Sequence, residues 1–443
     1  MASATVRSLR LPRMRAARKP WVLAFVGLCT LVLLAALAEI VLDGAVGHSP
    51  LIPKSPQIAG WLDGIGERLG FRVFLVALLA FTAAYAGLLA VVGRLPRDRL
   101  TVRWAIGLVV ALHAIVFAGP ILLSTDVFSY IAYARMGVEH GINPYLHGPM
   151  SIVGDPVYHY VGADWKHVAT AYGPLYTLLT YPLAPLGVTG ALWGMKVEAL
   201  LASAGTLVLT WRCARVRGLD PVAALLVVGA NPLYIIYGLG GAHNDLIMTF
   251  FMMAAVSLTL AGRDAPAAAS VVAGTLVKAT VAALLPFMVL SRRRLGPIIG
   301  AAAAALLAAV VGYAVFGIHG VNLISALNRD AAFVSTDSFP AEVAHLFGKP
   351  GVFPIDHTLL KGALVLVVVH LMWRTWRGYD WVAASGWALL AIVVTSSWLL
   401  AWYTLWSLPL AVITRDRRLL VATLAVQALF IIHQTSPLFA PVS

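Results

Sequence analysis

The chain has 443 residues, 60% of them hydrophobic and only 12% charged, with a mean hydropathy of +0.86. That excludes a water-soluble globular domain and points to an all-α polytopic membrane protein. The formal charge of +13 does not point to nucleic acid, because the basic residues fall in short clusters between apolar runs, as the positive-inside rule requires.

In chain order, residues 1–20 form a basic leader that holds the start of the first span, 21–42, in the cytoplasm; no small-residue cleavage site follows, so the span is expected to stay uncleaved. Residues 43–70 form an outer loop rich in Pro and Gly, and 71–92 returns to a cluster of Arg94, Arg97, Arg99 and Arg103. The next span, 104–123, delivers Asp126 to the outer face. Beyond it Val127, Tyr130, Ile131, Ala134 and Val138 recur at helical spacing, with Arg135 and Glu139 opposite and Gly141 as terminator. This predicts an amphipathic helix lying along the membrane surface, at the start of a first outer loop over 124–171.

Residues 172–186 contain Pro174, Pro182 and Pro185. A full crossing here would put Arg212, Arg215 and Arg217 outside, so the segment is predicted to enter and leave by the outer face. Residues 190–211 then run inward and 222–239 outward, bringing Gly240, Gly241, His243, Asn244 and Asp245 to the outer surface before 246–261 runs inward. The same parity test applied to 266–290 predicts two half-length helices meeting near Lys278, since one crossing would strand Arg292, Arg293 and Arg294 outside. A lysine in such a segment costs about 2.5–3.5 kcal/mol, so Lys278 should face a cavity or an anion at the tip of a hairpin opening toward the outer face; the alternative is a snorkelling side chain. Residues 295–316 run outward to a second outer loop over 317–357, and 358–373, 381–400, a short stretch through Ile413, and 419–433 complete the chain. The count is about eleven to thirteen hydrophobic elements, some half-length, in one integral-membrane domain over 1–443. No internal repeat suggests inverted transporter halves.

The chain has no P-loop, Rossmann glycine pattern, nucleophile elbow or HExxH, and Cys29 and Cys213 match no metal motif or disulfide framework. A reaction at the outer face lacks a nucleotide supply, so an activated group would arrive on a lipid. A lipid phosphate needs a groove for its tail, cations for its charge, and a base for the incoming hydroxyl. Lys278, Arg135 and Lys166 are available cations and Asp126 an available base, although Asp126 would equally serve as a helix cap. The GGAHND run offers an anion or sugar-hydroxyl site at a helix start, or a simple cap through Asn244 or Asp245. Trp165 and Tyr172 would stack on a sugar ring.

The segment STDVFSYIAYARMGVEHGINPYLHGP resembles the first extracytoplasmic loop of the polyprenol-phosphate-mannose-dependent α-1,6-mannosyltransferases that extend lipomannan, members of the GT-C superfamily. AYGPLYTLL, NPLYIIYGLGGAHNDLIMTFFMMAA and VKATVAALLPF are similar to the same family, in order from Asp126 to Pro286; outside that stretch the likeness is one of hydropathy alone. The resemblance implies a GT-C bundle with Asp126 as catalytic base, Lys278 as donor-phosphate contact and His243, Asn244 and Asp245 as sugar or acceptor contacts. Two features depart from the pattern: Thr125 replaces the first carboxylate of the acidic tandem, and Asn143 stands where relatives often carry Asp.

The resulting expectation is an inverting transfer of a sugar, mannose first, from polyprenyl phosphate to a hydroxyl of an envelope glycan or glycolipid at the extracytoplasmic face of the cytoplasmic membrane. Arg135 joins Lys278 on the phosphate, and Tyr130, Asn143, Tyr145, Trp165, His167 and Tyr172 complete the substrate contacts. No metal, cofactor or nucleic-acid partner is called for, and the oligomeric state is not readable. The rival expectations are a transporter or flippase for a lipid-linked sugar and a GT-C enzyme using an arabinosyl or glucosyl lipid.

Overall fold

The protein is described by a computed structural model over residues 19–45, 70–330, 333–349 and 351–438; among these every regular element is helical. The leader and the first loop thus lie almost wholly outside the described residues. The first helices are α1 (Pro20–Ala45), α2 (Phe71–Val92) and α3 (Arg99–Ala118). The central part comprises α4 (Asp126–Val138), α5 (Pro174–Thr180), α6 (Gly187–Val216), α7 (Pro221–Gly229), α8 (Asp245–Leu260), α9 (Asp264–Thr275) and α10 (Leu284–Arg292). The remainder is α11 (Leu295–Phe316), α12 (Leu323–Asp330), α13 (Phe339–Leu346), α14 (Pro354–Trp376), α15 (Trp381–Thr395), α16 (Leu408–Val412) and α17 (Arg417–Thr435). Among the described residues seven helical runs are long and apolar enough to cross a bilayer, an eighth forms if α7 is joined to the π-helix Leu233–Leu239 across a 49° bend, and three apolar helices are shorter. A continuous buried core runs from Val22 in α1 to Ile431 in α17.

The Arg-bearing turns meet at one end of this bundle. Arg97 pairs with Asp220 at 2.9 Å, Arg217 with Asp380, and Arg292 with Asp264 at 2.7 Å, while Arg293 donates to the Trp376 carbonyl. The opposite end, which holds the candidate site, is closed by backbone hydrogen bonds between distant turns: Leu122 N–H to Gly240 O at 2.9 Å, Gly173 N–H to Val277 O at 3.2 Å and Ser335 N–H to Ser397 O at 2.8 Å.

Several predicted boundaries hold. The helices at Phe71–Val92 and Leu295–Phe316 match the apolar windows read from the sequence, and the break at Lys278 is present. The proline-rich segment after the first loop is broken as expected, into α5 and a 3-10 turn over Tyr181–Leu186 that folds back against α4 and α6. Three expectations need correction. α3 starts at Arg99 and ends at Ala118, earlier than predicted, because the Asp98 carboxylate caps it by accepting from Thr101 N–H and Pro120 forces Gly119 into extended backbone. Residues 119–125 therefore cross beneath the GGAHND turn before α4 begins.

α4 is not a surface-lying amphipathic helix. Every residue from Val127 to Ala134 is buried, because Phe128, Ala132 and Tyr133 fill the face expected to be polar and Arg135 is neutralised by Asp155. Gly141 follows as predicted, with φ +63, a conformation that favours glycine. The span expected over 381–400 stops at Thr395; Ser396 is extended, and a 3-10 turn, Ala401–Leu405, leads into α16. The second loop carries two short helices, α12 and α13.

Candidate active site

Four unrelated stretches converge here. The extended run after α3 ends at Thr125, so Asp126 occupies the first turn of α4; Thr125 holds the cap position without a side-chain cap bond, and Asp126 N–H is bonded to Ser124 Oγ at 3.1 Å. The GGAHND turn follows the π-helix, with Ala242 at φ +49 and His243 N–H donating to Gly238 O at 3.1 Å. The α9–α10 hairpin, its feet joined by Arg292 and Asp264, presents Lys278 in extended backbone at its tip. Finally, the break after α15 supplies Trp398, Trp402, Tyr403 and Trp406.

Asp126 and Lys278 line one cavity of about 200 Å³, together with Ser129, Trp165, Tyr172 and the aromatic residues after α15. Behind its wall stands a buried polar layer. Asp245, fully buried, accepts from Lys278 Nζ with both carboxylate oxygens at 2.9 Å and from Trp406 Nε1. The Lys278 ammonium lies 4.3 Å over the Tyr403 ring and 5.2 Å from that of Trp406, a cation–π arrangement. His243 Nδ1 lies 3.7 Å from Asp126 Oδ2 and 3.5 Å from the Tyr130 hydroxyl, and its ring stacks on Trp402 at 3.6 Å. Burial pushes the Asp126 carboxyl up to about 6; the Lys278 charge opposes the rise and the Asp245 charge adds to it.

Gly173 makes the close approach possible. A Cβ there would lie 2.0 Å from Leu276 O, and the amides of Gly173, Leu175 and Tyr176 all donate to the Leu276–Val277 backbone. The start of α5 thus holds the hairpin tip directly.

The structure brings Asp126, Lys278, Trp165 and Tyr172 together at the cavity. His243, Asn244, Asp245 and Tyr130 sit immediately behind it, all at most 2% exposed. Neither simple capping alternative fits the HND run: Asn244 makes no side-chain cap bond, and the Asp245 carboxylate is taken by Lys278 and Trp406. Nor does Lys278 snorkel away from its segment.

Other predicted residues are elsewhere. Arg135 does not line the cavity: its Nε binds both oxygens of Asp155 at 2.9 and 3.0 Å, and its Nη1 donates to Ala184 O. The Asp155 carboxyl, pushed up by burial, is nevertheless held below the usual range by Arg135, His140 and the Val157 amide. Asn143 bonds Phe316 O and the Tyr145 amide, and Tyr145 bonds Tyr172 O and Thr177, so both brace the loop. His167 is exposed and away from the cavity lining, while Lys166 lies over the Tyr158 ring. The residues that sequence reasoning missed are Trp398, Trp402, Tyr403, Trp406 and Ser129. For the first four the available signal was aromatic density in WLLAWYTLW just after paired serines.

Comparison with known proteins extends the likeness beyond the central stretch. The family model described as Alpha-(1->6)-mannopyranosyltransferase, N-terminal domain, matches residues 24–294, and that of the MptB C-terminal domain matches residues 352–437. Alpha-(1->6)-mannopyranosyltransferase A of Mycobacterium tuberculosis is 28% identical over 412 residues, covering 85% of this chain and 77% of the relative. The protein of the same name from Corynebacterium glutamicum is 30% identical over 250 residues, covering 55% of this chain and 48% of that protein. No solved structure matches the chain. With more than half its length matched by that family model and its helices forming a membrane-type bundle, this chain belongs to the alpha-(1->6)-mannopyranosyltransferase family, whose members are membrane glycosyltransferases of the GT-C type.

Proposed function

We propose that this enzyme transfers mannose from a polyprenyl-phosphate donor to a hydroxyl of an envelope glycan or glycolipid, with inversion, in a cavity facing the extracytoplasmic side of the cytoplasmic membrane. The observation that carries the proposal is the shared cavity of Asp126 and Lys278, a carboxylate and a cation lining one space of about 200 Å³. The Asp126 carboxylate takes the acceptor proton as that oxygen attacks the anomeric carbon. The bond from that carbon to the phosphate oxygen breaks, and the electron pair leaves with polyprenyl phosphate beside the Lys278 ammonium. A β-linked donor thereby gives an α-linked product.

Asp245 acts as a positioning residue that holds Lys278 at the hairpin tip, and His243, stacked on Trp402 and beside the Tyr130 hydroxyl, positions Asp126. Trp165, Tyr172 and Trp402 offer ring faces to the sugar. Arg135 is proposed as a brace for the first loop rather than a phosphate contact, since it binds Asp155 and Ala184 O away from the cavity that Lys278 lines. Sidedness rests on the gathering of the Arg-bearing turns at the opposite end of the bundle.

The test is transfer by purified enzyme in liposomes given β-mannosyl polyprenyl phosphate and an α-(1→6)-mannoside acceptor, with the product anomer read by NMR. An α-linked product made only from the lipid donor is expected. A β-linked product, or equal use of a nucleotide sugar, would overturn the proposal.

A further inference from the structure

We infer that the Arg-bearing end of the molecule holds an anionic phospholipid headgroup in a pocket at the foot of the Lys278 hairpin. The pocket has a volume of about 600 Å³ and lies between the end of α10 and the α14–α15 turn, lined by Ser291, Arg293, Trp376, Arg377, Tyr379 and Asp380 among others. Its charge balance favours an anion. Asp380 is neutralised by Arg217 and its other oxygen caps α15 by accepting from Val382 N–H, so the guanidinium groups of Arg293 and Arg377 set the sign of the pocket.

Their placement also favours a lipid over a soluble ion. Arg293 is anchored by its bond to Trp376 O and lies 6.0 Å from the Trp376 ring, and Arg377 lies 5.9 Å from the Trp373 ring. Both tryptophans are exposed at the end of a membrane-length helix, where interfacial aromatic side chains collect. Along the helices that meet at the pocket, α14 exposes Val365, Leu366 and Val369 and α11, which begins just after Arg294, exposes Leu295 and Ile298. A headgroup in the pocket would thus sit at the ends of two helices whose flanks expose apolar side chains. The pocket is built on α10, whose other end carries the segment that presents Lys278, so occupancy would brace the hairpin.

The experiment uses the full chain in neutral detergent, with phosphatidylglycerol, phosphatidylcholine or inorganic phosphate as probe, and reads bound probe by native mass spectrometry. Phosphatidylglycerol should be retained and phosphatidylcholine not. Removing both charges with Arg293→Gln and Arg377→Gln should weaken retention about thirtyfold, at roughly fivefold per arginine near a surface. A control pair at the same end but outside the pocket, Arg417→Gln with Arg418→Gln, should leave retention intact, and both variants are checked for an unchanged elution profile. Equal retention of the two lipids, equal loss in both variants, or displacement of the lipid by millimolar phosphate would each overturn the inference.

Discussion

Replacing Asp245 by Asn isolates the pair on which the hairpin tip depends. Two unit charges 2.9 Å apart attract by about 6 kcal/mol at an effective dielectric of about 20, and losing one partner of a buried pair costs about 3–5 kcal/mol because the other is left uncompensated. The Tyr403 and Trp406 faces remain beneath Lys278 and would recover about 0.5–2 kcal/mol of this. The expected net loss is therefore about 1–4.5 kcal/mol in Asp245→Asn. Lys278→Met, which strands the carboxylate instead, should lose at least as much. The double variant, neutral on both sides, should regain most of the stability while remaining inactive, giving a coupling of about 2 kcal/mol or more in a double-mutant cycle. The assay is unfolding of the purified proteins in detergent alongside mannosyl transfer. A coupling below about 0.5 kcal/mol, or a double variant that still transfers, would refute the reasoning.

Arg135→Gln should destabilise the protein by about 3–5 kcal/mol, because Asp155 is left buried with its main cation gone; transfer per folded molecule should be retained, whereas a selective rise in donor KM would show a phosphate contact after all. Gly173→Ala would force a Cβ into the Leu276 carbonyl and displace the hairpin tip, so kcat should fall at least tenfold, while Gly154→Ala, in open space on the first loop, should be neutral. The pH profile of kcat/KM should lose activity on the acid side as Asp126 protonates, with a midpoint near the value of about 6 to which burial raises it; an acid limb unchanged in Asp126→Glu and Asp126→Asn alike would assign it to another group.

The parts of the fold legible in the sequence were those that the bilayer imposes. An uninterrupted apolar window has the same ends in sequence and space, as at Phe71–Val92 and Leu295–Phe316. The Lys278 hairpin was legible because three consecutive arginines forbid an odd number of crossings. α4 was misread because a helix lying on a surface and one packed on all sides carry the same local spacing; only the partner of Arg135, twenty residues away in the loop, distinguishes them. The aromatic floor was invisible for a different reason. Trp406 meets Asp245 across 161 positions, and the break after Thr395 that brings it there interrupts a run whose hydropathy reads as one span.

The central claim is tested most directly by separating donor binding from chemistry in Asp126→Asn and Lys278→Met. Measured with labelled polyprenyl-phosphate-mannose in a single-turnover experiment, Asp126→Asn should bind the donor within about twofold of the unaltered enzyme and form product at least 100-fold more slowly, at the lower end of what a positioned base contributes. Lys278→Met should lose donor affinity as well. Product formed at the original rate by Asp126→Asn would contradict the account.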